Sequence, residues 1–272
     1  MRGNIGSSGM STRTWKRYSI MPESHPADAQ DWGSTFQGVV DGWLFSDVDG
    51  PLPPVAILPL ENPDLYDRTD WAKRVETLRD YRSVSVAHYR GHEFAVFTAK
   101  LGAPAAAMAV QAAAARGVRT LIGVGYCGAV ADTLSCGDLL VPTGAVAADG
   151  TSRAYCAERY PAVADHQLVR ALHDTAPGTL HDGVVLSLDA VFTQDSALVE
   201  RCRALRVSGI DMETSAVLTV ARLNGVRAAT VLVASDHPGL GVPTDGALLG
   251  AGSARAMELV LKAVTGRVAE LD

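Results

Sequence analysis

The chain has 272 residues, 47% apolar and 20% charged, with a net charge of −6, which suits one generous α/β domain or two small ones. That balance excludes a nucleic-acid surface built on a basic footprint, and no apolar run approaches the ~20 residues of a membrane span. The four cysteines, Cys127, Cys136, Cys156 and Cys202, form no CxxC pair of the kind structural zinc uses, and no signal peptide precedes them, so reduced thiols in a cytoplasm are expected.

Residues 1–54 carry little periodicity and read as a tail and irregular extension, with at most a short helix or strand around Phe36 to Phe45. Met1 to Gly9 reads as a cloning remnant or a disordered tail, Met10 being a more natural-looking start. Residues 55–272 then form the main domain. Its apolar run Val55 to Leu60 predicts the first core strand. Asp70 to Arg79 has helical spacing, with Trp71, Val75 and Leu78 on one side. Ser83 to Tyr89 and Glu93 to Thr98 read as strands about a turn at Gly91-His92. Pro104 to Arg116, alanine-rich and opened by proline, predicts a helix packed closely through small side chains. Arg119 to Gly125 predicts a buried strand ending in glycines. Asp138 to Pro142 and Gly144 to Ala148 predict short strands, followed by a helix at His166 to Thr175, a strand at Gly183 to Leu188 and a short helix at Ser196 to Arg203. Thr214 to Asn224 predicts an amphipathic helix stopped by Asn224-Gly225, Thr230 to Ala234 a strand, and Ala247 to Val264 a long final helix. Interleaved strands and helices predict an α/β sandwich, a central twisted mixed sheet flanked by helices.

The most informative stretch is Gly209-Ile210-Asp211-Met212-Glu213-Thr214-Ser215-Ala216, followed by the apolar run Ala228 to Ala234 and then Ser235-Asp236-His237. Buried ionised groups need hydrogen bonds or partners, so Glu213 and Asp236 are expected to face a pocket. A carboxylate accepts two hydrogen bonds side by side, which suits adjacent hydroxyls. An acid at the carboxyl end of a strand sits where α/β sheets place ligands. Local structure offers a plainer reading of each: Glu213 as a first-turn helix acid, Asp236 as a solvated turn cap. Gly123-x-Gly125-x-x-Gly128 follows a strand, but no helix opens after it, which argues against a dinucleotide site. No histidine or acid can be assigned to Cys127 as a partner, so nothing supports a nucleophilic cysteine.

These segments resemble the nucleoside phosphorylase superfamily, the branch of purine nucleoside and uridine phosphorylases and related nucleosidases. The resemblance rests on Met212-Glu213, on Ser235-Asp236, on Gly123 to Val130 as a glycine-rich turn, on Gly137-Asp138-Leu139-Leu140-Val141-Pro142, on Asp149-Gly150-Thr151-Ser152, and on Ser187 to Phe192. It covers roughly Val55 to Val264 and implies cleavage of a nucleoside N-glycosidic bond. Glu213, with Asp211 beside it, would accept from the ribose hydroxyls and Met212 would pack on the sugar. Val191 and Phe192 would contact the base, and Gly125, Tyr126, Cys127 and Gly128 would border the ligand. Asp236 would be the general acid toward a purine-like base, a role that needs a raised pKa.

The sequence departs from the family at the phosphate site. Gly123 stands where phosphorylases carry an arginine, and the loop Leu60-Glu61-Asn62-Pro63-Asp64-Leu65 carries acids where a neutral turn and a cation are expected. Water as acceptor, with Glu61 or Asp64 as base, is therefore the expectation. Phosphorolysis at an atypical phosphate site, transfer to another acceptor and non-catalytic nucleoside binding are the alternatives. The resemblance implies no metal or organic cofactor. It implies a homo-oligomer, dimer or hexamer, to whose neighbouring site His25 is the one histidine the extension could lend.

Overall fold

The structure, a computed structural model, describes residues 46–61, 73–98, 100–156, 159–176, 178–237 and 241–271. The elements it defines among them are, in chain order, β1 (Val55–Leu60), β2 (Glu76–Asp80), β3 (Val84–Tyr89), β4 (His92–Phe97), α1 (Ala103–Ala115), β5 (Thr120–Ala129), β6 (Leu139–Ala147), α2 (Gly150–Tyr155), β7 (Ala162–Val163), α3 (His166–Thr175), β8 (His181–Ser187), α4 (Ser196–Ala204), β9 (Val207–Asp211), α5 (Thr214–Leu223), β10 (Arg227–Asp236) and α6 (Gly246–Val264). They build the expected α/β architecture around one mixed sheet.

Strand β1 is buried along its whole length and pairs in parallel with β4 on one side and β5 on the other. A strand covered on both faces reads as a continuous apolar run, which is what VAILPL is. Beyond β4 an antiparallel wing runs out through β3 to β2. On the other side the sheet closes on itself. Strand β5 pairs with β10, β10 with β6, β6 with β8, β8 with β9, and β9 returns to β5 at Gly128 and Ala129. Closure leaves those five strands with no free edge. Helix α5, buried from Thr214 to Ala221, packs under β6 and β10 and against α1. The alanines of α1 permit that close approach: Ala103, Ala106, Ala107, Ala109, Ala112 and Ala113 are buried. Residues 46–54 also join the core, with Val48 and Leu52 buried and Leu52 N–H donating to Arg116 O at 2.8 Å.

Four expectations need correction. The described end of the helix predicted over Asp70 to Arg79 is strand β2, whose five residues are all exposed; an edge strand with no buried face has no alternation to reveal it. The glycines from Gly123 to Gly128 make no turn, because β5 runs straight through them. They serve inter-strand packing instead. A Cβ at Gly123 would lie 2.8 Å from both Leu60 Cδ1 and Thr230 Cγ2, and one at Gly125 2.9 Å from Leu60 Cβ. The two short strands predicted between 138 and 148 are one strand, β6, with a register shift between Pro142 and Gly144. Strand β9 was not expected: VSGID is short and carries a central glycine. Phe36 to Phe45 lies outside the described residues.

Candidate active site

Strand ends converge on one cleft of about 140 Å³. Glu61 follows β1, Tyr126, Cys127 and Gly128 come from the end of β5, Ile210 to Glu213 from β9 and the turn after it, and Ser235 and Asp236 from the end of β10. Val191 and Gln194 complete it from a single 3₁₀ turn after β8.

The turn between β9 and α5 places Glu213. Helix first turns leave amides without intrahelical partners. Here those amides are met from outside the N-cap position. Thr214 N–H donates to Asp211 Oδ2 at 2.9 Å, and Ser215 N–H donates to the Ser187 hydroxyl at 3.0 Å. The Ser187 hydroxyl in turn donates to Asp211 Oδ1 at 2.5 Å. Glu213 occupies the N-cap yet makes no side-chain capping bond. Its Oε1 accepts instead from Gly102 N–H at 2.6 Å, at the start of α1. Gly102 has φ +86°, a left-handed conformation that glycine adopts without strain and that exposes this amide.

Burial dominates the electrostatics. Glu213 is 3% exposed, and desolvation, reinforced by Asp211 and Glu61, pushes its carboxyl up to about 8 against the opposing Gly102 bond. Burial also raises Asp211, partly offset by its Ser187 and Thr214 bonds. Both Asp211 oxygens are engaged by those bonds, so it braces the turn while lining the cleft. Cys127 is buried, and its thiol is pushed far up by desolvation and by Asp211 and Asp236; such a thiol stays protonated and is no nucleophile.

Asp236 follows a register shift in β10 that sets it opposite Gly128. The Ser235 hydroxyl lies 2.6 Å from Asp236 Oδ1 and 3.2 Å from Cys127 O. One hydroxyl proton cannot serve both acceptors. The shorter contact makes Asp236 Oδ1 the closer acceptor of the two.

The cleft gathers Glu61, Tyr126, Cys127, Gly128, Val191, Asp211, Met212, Glu213 and Asp236. Phe192, fully exposed, does not line it, because the 3₁₀ turn carries it outward while Val191 faces in. Gly125 packs its backbone on Leu60 and is not a lining residue. Asp64 and His25 lie outside the described residues. Gln194, Ile210 and Ser235 line the cleft without having been chosen as site residues. Ser235 was legible, standing beside Asp236; Gln194 had no signal, since a polar residue after a turn is ordinary.

Three comparisons bear on this arrangement. The family model described as the phosphorylase superfamily matches residues 60–266. The guanosine phosphorylase of Halorubrum lacusprofundi is 32% identical over 190 residues, 67% of this chain and 78% of that protein. The uridine phosphorylase of Thermococcus kodakarensis is 31% identical over 185 residues, 62% of this chain and 66% of that protein. The crystal structure of uridine phosphorylase from Vibrio fischeri superposes with a TM-score of 0.69 at 27% identity, covering 81% of this chain and 99% of that one.

Proposed function

The chain belongs to the phosphorylase superfamily, and from that premise we propose that it cleaves the N-glycosidic bond of a nucleoside, with a purine-type base favoured. The observation that carries this reading is that Glu213 and Asp236 line one cleft. Breaking the bond leaves negative charge on the base and positive character on the sugar. Asp236 meets the first by protonating or hydrogen-bonding the base as it departs, a contribution of about 10²–10⁴-fold for a positioned general acid. Glu213 accepts from the sugar hydroxyls, with Oε1 already held by Gly102. Met212 supplies a polarisable contact to the sugar face. The acids of the cleft favour a sugar that gains positive charge.

For the acceptor, the relatives' names favour phosphate. A second reading, transfer to water with Glu61 as base, rests on a different observation. Every charged side chain lining the cleft among the described residues is a carboxylate, and Leu60 and Thr230 fill the space a side chain at position 123 would need. Each charge-assisted phosphate contact missing from such a site costs about 1.5–3 kcal/mol.

The test is base release from guanosine, inosine and uridine, followed by chromatography with and without phosphate. Release that requires phosphate and yields pentose 1-phosphate supports phosphorolysis; phosphate-independent release yielding free pentose supports the second reading. No release from any nucleoside under either condition overturns both.

A further inference from the structure

Asp149 carries a fully buried carboxyl group that does not line the cleft. It is the N-cap of α2, a helix of six residues, and its Oδ1 accepts from Ser152 N–H at 2.6 Å. Serine or asparagine would cap such a helix as well, without the cost of burying a charge. The second oxygen gives the carboxylate another task. Asp149 Oδ2 accepts from the Ser215 hydroxyl at 2.5 Å, and that hydroxyl also accepts from the Ser152 hydroxyl at 3.2 Å. Ser215 lies two residues after Glu213, and its own N–H donates to Ser187, whose hydroxyl donates to Asp211.

The donors in this string have one consistent direction. Ser152 donates to Ser215, Ser215 to Asp149, and Ser187 to Asp211. A buried carboxylate closes it at each end, and Ser215 is the link, its hydroxyl bound toward Asp149 and its amide toward Ser187. The first turn of α5 is therefore clamped from two sides, which frees Glu213 from capping and lets it reach Gly102.

We propose that Asp149, acting through Ser215, is a positioning residue that aims Glu213 at the sugar diol. The proposal rests on the nucleoside reading above. It fixes where discrimination arises: a diol that meets a well-aimed Glu213 gains more than a sugar lacking the 2′-hydroxyl. Loosening the clamp harms the ribonucleoside selectively, whereas a fault in α2 alone harms both substrates alike.

The experiment measures kcat/KM for guanosine and 2′-deoxyguanosine with the wild type, Asp149→Asn, Ser215→Ala and the double variant, under the acceptor condition that supports turnover. Thermal melting of each variant reports folding. The expected result is a wild type that prefers guanosine, with that preference reduced about tenfold in each single variant; tenfold corresponds to the alignment of about one hydrogen bond. The double variant should resemble the singles, because both act on one string. Ser215→Ala keeps the Ser152 N–H cap of α2, so it gives the same readout if Asp149→Asn does not fold. Equal losses on both substrates, or an unchanged preference in Ser215→Ala, overturn the proposal while leaving nucleoside cleavage standing. A wild type that cleaves both substrates but prefers neither also overturns it. A wild type that releases no base from guanosine, inosine or uridine defeats the underlying reading and the proposal together; one that acts on uridine alone is measured in the same way on uridine and 2′-deoxyuridine.

Discussion

Glu213 is ionised with difficulty where it stands. Its ordinary value of 4.5 is raised to about 8, first by desolvation, then by Asp211, with Glu61 adding to the shift. The folded chain therefore keeps a proton over a pH window in which the unfolded chain has lost it. Stability follows the difference in bound protons, so it is greatest below about 4.5 in this respect and declines as pH rises toward about 8. Asp211, also raised, contributes with the same sign. Glu213→Gln keeps an oxygen for the Gly102 amide and removes the titration. Melting temperatures at pH 5 and pH 8.5 should show the variant gaining on the wild type at the higher pH. Parallel behaviour of the two proteins would show that Glu213 does not titrate in that window. Substrate affinity should respond in the opposite sense, since an ionised carboxylate is the better acceptor for a diol.

Helix α6 meets the turn before β6 at two glycines. A Cβ at Gly252 would lie 2.4 Å from Gly137 O and 2.6 Å from Val233 Cγ1. Gly137, at φ +88°, also accepts from Arg255 Nη2 and donates its N–H to Ala234 O, just ahead of Ser235 and Asp236. Alanine in a helix interior normally gains about 0.5–1 kcal/mol over glycine. Here a backbone oxygen stands in the way, and overpacking costs about 1–3 kcal/mol, so the clash wins. Gly252→Ala should lower the melting temperature; a rise would show that the contact yields easily. Elements with a buried face were legible in the sequence. Val55 to Leu60, His166 to Thr175 and Thr214 to Leu223 lie where their apolar spacing put them. Strand β2 was not legible, because every residue in it is exposed and only pairing with β3 makes it a strand. Strand β9 owes its form to β8 and β5 rather than to its own five residues.

At the scale of the molecule, the ring of β5, β10, β6, β8 and β9 brings residues from far along the chain to one place. Glu213 meets an amide 111 residues before it, and Ser235 meets the carbonyl of Cys127, 108 residues away. The sequence revealed the cleft-lining acids Glu213 and Asp236 because an acid beside an apolar segment costs free energy if left unpartnered. It did not reveal the clamp from Asp149 to Ser215, which spans 66 residues and consists of residue types common in loops. Nor could it separate Val191 from Phe192, since the twist of one 3₁₀ turn decides which of them faces inward.

The central claim is that Asp236 supplies a proton to a departing purine while Glu213 holds the sugar. Base release from guanosine and from 7-methylguanosine tests it most directly, because methylation at N7 makes the leaving base cationic before the bond breaks. Asp236→Asn should lose about 10²-fold or more on guanosine, in keeping with removal of a general acid, and far less on 7-methylguanosine. Equal losses on the two substrates, or none on guanosine, would contradict the account.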